Sequence, residues 1–379
     1  MNDLRSPVAL AADLIRCPSV TPAEGGALDL LQGWLEALGF TVRRLPFGEV
    51  DNLWAERGEG GPRLCFAGHT DVVPPGDEAG WRTPPFEPVV RGGLLHGRGA
   101  SDMKGAVAAF VAAVAQAEEA PPLALLITGD EEGAALDGTK RALAAIEAEG
   151  LGFDHCLVGE PTNPGTLGEM MKVGRRGSCN AVLTVTGRQG HVAYPHNAAN
   201  PLPALLRALG ALTGTPLDEG YARFQPSNLE LTAWGTPQTA ENVIPGMAWA
   251  RFNVRFNPSW TGESLVRELE RRIDEALPGW EWTLAPRVSG EAFLTEDEEF
   301  TALIAGAAEA ETGLRPEPST AGGTSDARFL SRHAPTVEFG LVGETMHQTN
   351  ERVATADIET LARIYGRILA GYAERAAAW

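Results

Sequence analysis

Short apolar runs alternate with longer amphipathic ones through the first 160 or so residues, and this alternation restricts the chain to few architectures. "RLCFAGHTDVV" (63–73), "LALLITG" (123–129) and "FDHCLVG" (153–159) are apolar enough to be buried strands. Residues 6–16, 24–38 and 138–149 space their apolar positions at helical intervals. "MKGAVAAFVAAVAQAEE" (103–119) reads as a long Ala-rich helix, with Asp102 in the N-cap position. Strands alternating with helices predict an α/β lobe: a mostly parallel sheet covered by helices.

Near Gly177 the pattern changes. "AVLTVTG" (181–187), "PLPALLRALGAL" (201–212), "NLELTAWG" (228–235), "MAWARFNVRF" (247–256), "ESLVRELERRIDEAL" (263–277) and "WEWTLAPRV" (280–288) give the order βαββαβ, which is ferredoxin-like. The first pattern then resumes with "EEFTALIAGAAEAE" (298–311), "PTVEFG" (335–340) and a terminal helix from Ala354. The expected architecture is one α/β lobe, residues 1–176 and 290–379, interrupted by an inserted α+β domain, residues 177–289.

A net charge of −19 argues against nucleic-acid and anionic-membrane partners, since no basic patch interrupts the repulsion. The four cysteines are widely spaced without a CxxC and read as reduced thiols. The best apolar run, "GAVAAFVAAVA", is too short to span a bilayer, and the expectation is a soluble, cytoplasmic protein.

Polar clusters follow the strands and loops of the outer lobe: "GHTD" (68–71), "GRGASDMKG" (97–105), "TGDEEG" (128–133), "VGEPT" (158–162) and "TMHQTNE" (345–351). In an open parallel sheet, chemistry collects beyond the carboxyl ends of the strands, so these segments can converge. They offer His69, Asp102, Glu132, Glu160 and His347. Two imidazoles and three carboxylates can serve two divalent cations, one His and one terminal carboxylate each, with Asp102 suited to the bridge. Mixed nitrogen and oxygen donors point to two Zn2+, with Co2+ or Mn2+ able to substitute. Asp71, two residues beyond His69 on an extended segment, is placed to brace its imidazole. Adjacent Glu131 and Glu132 cannot easily aim the same way, so Glu132 is expected as a ligand and Glu131 as the general base. The glycines of "HGRGASD" suggest a dinucleotide loop only superficially, because the third glycine and an obvious preceding strand are missing.

In this order, "GHTDVVP", "GRGASDMKG", "GDEEG", "GEPT" and a late His resemble the co-catalytic zinc aminoacylase and carboxypeptidase amidohydrolases over nearly the whole chain. "KVGRRGS" (172–178), "GRQGHVAYPHNAANP" (187–201), "ENVIP" (241–245), "FNVRF" (252–256) and "GGTSDARF" (322–329) are similar to the branch acting on succinylated amino diacids. The resemblance implies that the inserted domain is a lid and dimerisation domain, and that Lys172, Arg175, Ser178, Tyr194, Asn242, Arg255, Gly323 and Thr324 contact substrate. It implies a homodimer in which His191 reaches the partner subunit's site to stabilise the oxyanion. The expected substrate is N-succinyl-LL-2,6-diaminopimelate; another deacylase or carboxypeptidase activity of the same clan is the alternative, and a non-catalytic metal-dependent binding protein is the reading from a different class. One departure from the pattern is Gly343, four residues before His347, where relatives carry Asn.

Overall fold

The computed structural model describes residues 3–375. It divides into two compact units, one of Met1–Val173, Thr295–Ser319 and Ser325–Trp379, the other of Gly174–Leu294 and Thr320–Thr324.

The larger unit is built on an eight-stranded mixed sheet. From edge to edge its strands are Thr41–Arg44, Leu53–Arg57, Leu123–Thr128, Leu64–His69, His155–Val158, Thr336–Glu338, Met170–Lys172 and Glu317–Ser319. The centre is parallel: Leu64–His69 runs with both neighbours, and Thr336–Glu338 runs with His155–Val158. Antiparallel pairs flank this centre on either side. Every residue of Leu123–Thr128 is buried, which requires cover on both faces.

That cover includes the helices Pro7–Ile15, Lys104–Gln116, Glu298–Thr312 and Thr355–Arg375, which pack on one another, and a separate pair, Thr139–Ala148 with Ala327–Leu330. The helix Lys104–Gln116 is buried on all sides from Lys104 to Val114, which explains its Ala-rich composition: small side chains let neighbouring helices and the sheet approach closely. Phe66 of the central strand stacks on Phe110 of this helix at 4.2 Å, with Tyr365 edge-on to both. The Tyr365 hydroxyl donates to Phe339 O at 2.7 Å, so this aromatic cluster fixes the terminal helix beneath the strand that ends in His69.

Asp102 is not a helix cap. The helix begins at Lys104, its N-cap is Met103, and no side chain caps it. The Asp102 carboxylate is turned to another use, described below.

The smaller unit has a four-stranded antiparallel sheet ordered Asn228–Gly235, Met247–Phe256, Gly177–Thr186, Glu281–Gly290, the ferredoxin-like arrangement expected from the βαββαβ series. The helices Pro201–Thr213 and Gly262–Ala276 bury Leu205, Leu209, Leu265, Leu269 and Ile273 against Leu183, Val185, Phe252 and Val254. This unit starts at Gly174 because Gly174–Arg175 pairs with Phe293–Leu294. It also claims Thr320–Thr324: Thr320 Oγ1 donates to Arg223 O, and Arg175 Nη1 donates to Gly323 O at 2.9 Å. A five-residue excursion has no periodicity for a sequence pattern to register.

Candidate metal centre

Five acidic side chains and two imidazoles of the larger unit meet at the carboxyl ends of its parallel strands. His69 ends the strand Leu64–His69. Glu131 and Glu132 follow Leu123–Thr128. Glu160 follows His155–Val158.

Asp102 joins the two imidazoles. Its Oδ1 lies 3.3 Å from His69 Nε2, and its Oδ2 lies 3.1 Å from His347 Nε2. Each imidazole has a second carboxylate of its own. Glu132 Oε1 is 2.8 Å from His347 Nε2, and Glu160 Oε1 is 3.8 Å from His69 Nε2. The imidazole–carboxylate distances sort the donors into two sets that share Asp102, namely His69, Asp102 and Glu160, and His347, Asp102 and Glu132, while Glu132 also comes within range of His69 and Asp102. Glu131 also comes within range of His69 and Glu160.

The charges call for cations. Burial alone would depress His69, but Asp102, then Glu160 and Asp71, lift it well above the ordinary imidazole value. Hydrogen bonds to Asp102 and Glu132 raise His347 to about 10. Burial, then the nearby Glu160 charge, pushes Glu131 well above the ordinary carboxyl value. Without cations, protons must occupy the site to offset its negative charge. His69 Nε2 and Asp102 Oδ1 are buried and have no hydrogen-bond partner. Two orphaned atoms facing each other on a mixed nitrogen and oxygen donor set fit a divalent cation between them.

The residues around the donors hold them in place. His69 Nδ1 lies 2.8 Å from the main-chain carbonyl of Asp71. A carbonyl only accepts, so Nδ1 carries a proton and Nε2 is left to face Asp102. The expected brace on His69 is therefore the peptide of Asp71 rather than its carboxylate, which stands 3.7 Å away. That carboxylate instead accepts from Glu131 N at 3.3 Å and Glu132 N at 3.1 Å. Burial, the largest influence on it, raises Asp71 to about 6.

"DEE" divides three ways. Asp130 turns back to accept from Leu136 N and Asp137 N at 2.9 and 3.1 Å and so shapes the loop. Glu131 faces His69 and Glu160, and Glu132 faces His347.

Glu351, the last residue of "TMHQTNE", is the anchor of the Asp102 loop. Fully buried, its Oε1 accepts from Ser101 N and Asp102 N at 2.9 and 3.1 Å, and its Oε2 accepts from Gly99 N at 2.9 Å. Arg98 Nη1 donates to the same Oε2 at 2.8 Å and to Gln348 O at 3.3 Å, tying the His347 segment to the Asp102 loop. Gly99 permits this wrap. Its φ is +85°, and a Cβ there would meet Val72 Cγ1 at 2.9 Å. The only signal in the sequence was an acid four residues after a candidate ligand; its partners lie about 250 positions away.

The substrate contacts implied by resemblance are distributed over both units. Lys172 belongs to the larger unit and is buried in its sheet, with Nζ on Ser319 Oγ at 3.3 Å. In the smaller unit Ser178 lies opposite Arg255, and Arg175 holds Gly323 O, with Thr324 next along. His191, Tyr194 and Asn242 gather elsewhere on that unit, around the two-stranded pair Gly190–His191 with Val243–Ile244. There the Tyr194 ring stands 5.6 Å from His191, and Val192 N donates to Asn242 O at 3.1 Å. At Gly343 a Cβ would meet Met346 Sδ at 3.3 Å, so this segment runs close to its neighbours.

Residues 65–371 match the model of peptidase family M20/M25/M40, and the chain belongs to that family. Among its relatives, the succinyl-diaminopimelate desuccinylase of Maricaulis maris is 57% identical, over 98% of this chain and 97% of that one. The enzyme of the same name from Caulobacter vibrioides is 56% identical, over 97% and 96%. The fold is shared with a Staphylococcus aureus tripeptidase (TM-score 0.80, 18% identity, 99% and 100% covered). It is shared also with a dinuclear metal binding peptidase of the M20 family from Bacillus subtilis (TM-score 0.74, 16% identity, 97% of both chains).

Proposed function

We propose that this chain is a dizinc amidohydrolase that cleaves N-succinyl-LL-2,6-diaminopimelate to succinate and LL-2,6-diaminopimelate, a step of lysine and diaminopimelate biosynthesis in the cytoplasm. The observation that carries the chemistry is Asp102, with one carboxylate oxygen toward each of two imidazoles. Near-full-length identity to relatives bearing the desuccinylase name supports the substrate. No described helix is long and apolar enough to cross a membrane.

His69, Asp102 and Glu160 would hold one cation, and His347, Asp102 and Glu132 the other. When bound, the cations polarise the scissile carbonyl and make water acidic enough to attack at neutral pH. Glu131 takes the proton of the attacking water and passes it to the departing amine nitrogen. The grip of Asp71 on the Glu131 and Glu132 amides keeps base and ligand aimed apart.

Arg175 and Arg255, with Ser178, Gly323 and Thr324, are assigned to the carboxylates of the succinyl diacid, which guanidinium forks bind by paired hydrogen bonds. Lys172, Tyr194 and Asn242 complete the proposed contacts. His191 is assigned to the oxyanion in the site of a partner subunit. Supporting a homodimer, the edge strand Asn228–Gly235 leaves Leu231 and Trp234 exposed, at 43% and 62%, on an unpaired sheet edge.

The test is hydrolysis of N-succinyl-diaminopimelate beside N-acetylornithine by zinc-reconstituted protein, each with and without chelator. Chelator-sensitive preference for the succinyl compound is expected. Preference for the acetyl compound would reassign the substrate, and activity insensitive to chelator would remove the metal chemistry.

A further inference from the structure

A three-stranded antiparallel sheet of the larger unit, Val89–Arg91, Leu94–His96 and Arg352–Ala354, carries groups that the metal centre does not use. In its register Arg352 lies opposite His96, and Arg91 lies opposite Leu94, two residues before His96. Both guanidiniums and the imidazole therefore project from one face. With Arg82 and Asn350 they line a cleft of about 480 Å³. Asn350 builds its wall: Oδ1 accepts from Arg82 N at 2.6 Å, and Nδ2 donates to Gly80 O at 3.1 Å.

Cations so placed repel one another, whereas several arginines elsewhere in this acidic chain pair with carboxylates. Arg63 has Glu56, Arg98 has Glu351, and Arg363 and Arg367 share Glu311. Among the described residues no carboxylate forms an ion pair with Arg82, Arg91 or Arg352. His96 is nearly buried between them. Burial, then Arg91 and Arg352, holds it below the ordinary imidazole value.

We propose that this cleft binds a small phosphate-type oxyanion, gripped by Arg82, Arg91 and Arg352. A carboxylate is satisfied by one guanidinium fork, whereas several converging forks match an anion with oxygens on every side. Asn350 and Arg352 flank Glu351, so the anion would sit against the segment that anchors the Asp102 loop and carries His347.

The test is calorimetric titration of the cation-loaded protein with inorganic phosphate at fixed ionic strength, beside Arg82→Ala and Arg91→Ala. Both residues are exposed, so truncation leaves the sheet intact, which circular dichroism checks. A dimetal centre also attracts phosphate, and the variants separate the two sites. Saturable binding weakened at least about tenfold in each variant, at unchanged cation content, is the expected result. Binding of equal strength in wild type and both variants would place phosphate at the metal centre alone and overturn the proposal, as would the absence of saturable binding.

Discussion

In the larger unit, Asp102 sits in a loop whose amides at Gly99, Ser101 and Asp102 all converge on one buried carboxylate, that of Glu351. In the smaller unit, Tyr194 is 58% exposed, and the His191 ring accepts from Ala193 N, two residues along its own chain. The Asp102 loop of the metal centre is held by contacts that span the sequence, whereas the His191 and Tyr194 side chains sit on a local turn. A metal centre must keep fixed distances whatever acyl group arrives, so rigidity there is repaid in every turnover. Groups that close on a substrate need freedom to move, and light anchoring provides it.

The largest effect should come from removing the shared carboxylate. Asp102→Ala takes a donor from both sets at once, and turnover should fall at least about a thousandfold, or about 4 kcal/mol of barrier. Cation content measured on the same sample should fall with it. If both cations remained bound, the bridging role would be lost and the centre would be less dependent on this loop than its geometry implies.

Next is Glu351→Ala, which touches no substrate. It leaves the Arg98 guanidinium buried without its partner and should cost about 3–5 kcal/mol of stability, measured by denaturant unfolding. The same variant should release cation to a chelator faster than wild type. Glu351→Gln keeps acceptor capacity on one oxygen and should recover part of both effects.

The contrasting unit should respond differently. Arg175→Ala should raise KM by about tenfold or more with kcat changed far less, the pattern of a lost binding contact. Equal loss in kcat would mean that Arg175 acts on the transition state and that the division between the two regions is too sharp.

The smallest effect should come from the surface of the inserted unit. Arg271, then Arg272, lowers Glu268 from an ordinary 4.5 to about 2. A depressed carboxyl stabilises the fold above its unfolded value and loses that benefit as pH falls from 4.5 toward 2. Glu268→Gln should therefore cost no more than about 1 kcal/mol at neutral pH, and the two proteins should converge in acid.

That the donor side chains come together was legible in the sequence because each follows an apolar run or a glycine-containing loop, and open parallel sheets direct such segments to one end. The inserted domain was legible because its helix and strand periods are clean: the strands Asn228–Gly235 and Met247–Phe256 coincide with the apolar runs that predicted them. What escaped is long-range and polar. Asp102 resembles a helix cap in a local window, but its two imidazole partners come from sites 33 positions before it and 245 after it. Asp71 sits at the right spacing to brace His69, yet the carbonyl does so and the carboxylate serves the Glu131 turn. Glu351 and the transfer of Thr320–Thr324 to the smaller unit depend on partners no local pattern contains.

The central claim is that Glu131 moves the proton while its neighbours hold two cations. Its most direct test is Glu131→Gln reconstituted with zinc, with metal content and hydrolysis of N-succinyl-diaminopimelate measured on one preparation. The account predicts two zinc ions per chain, as in wild type, with turnover lower by about a hundredfold to ten-thousandfold. Undiminished turnover with both ions bound would contradict it.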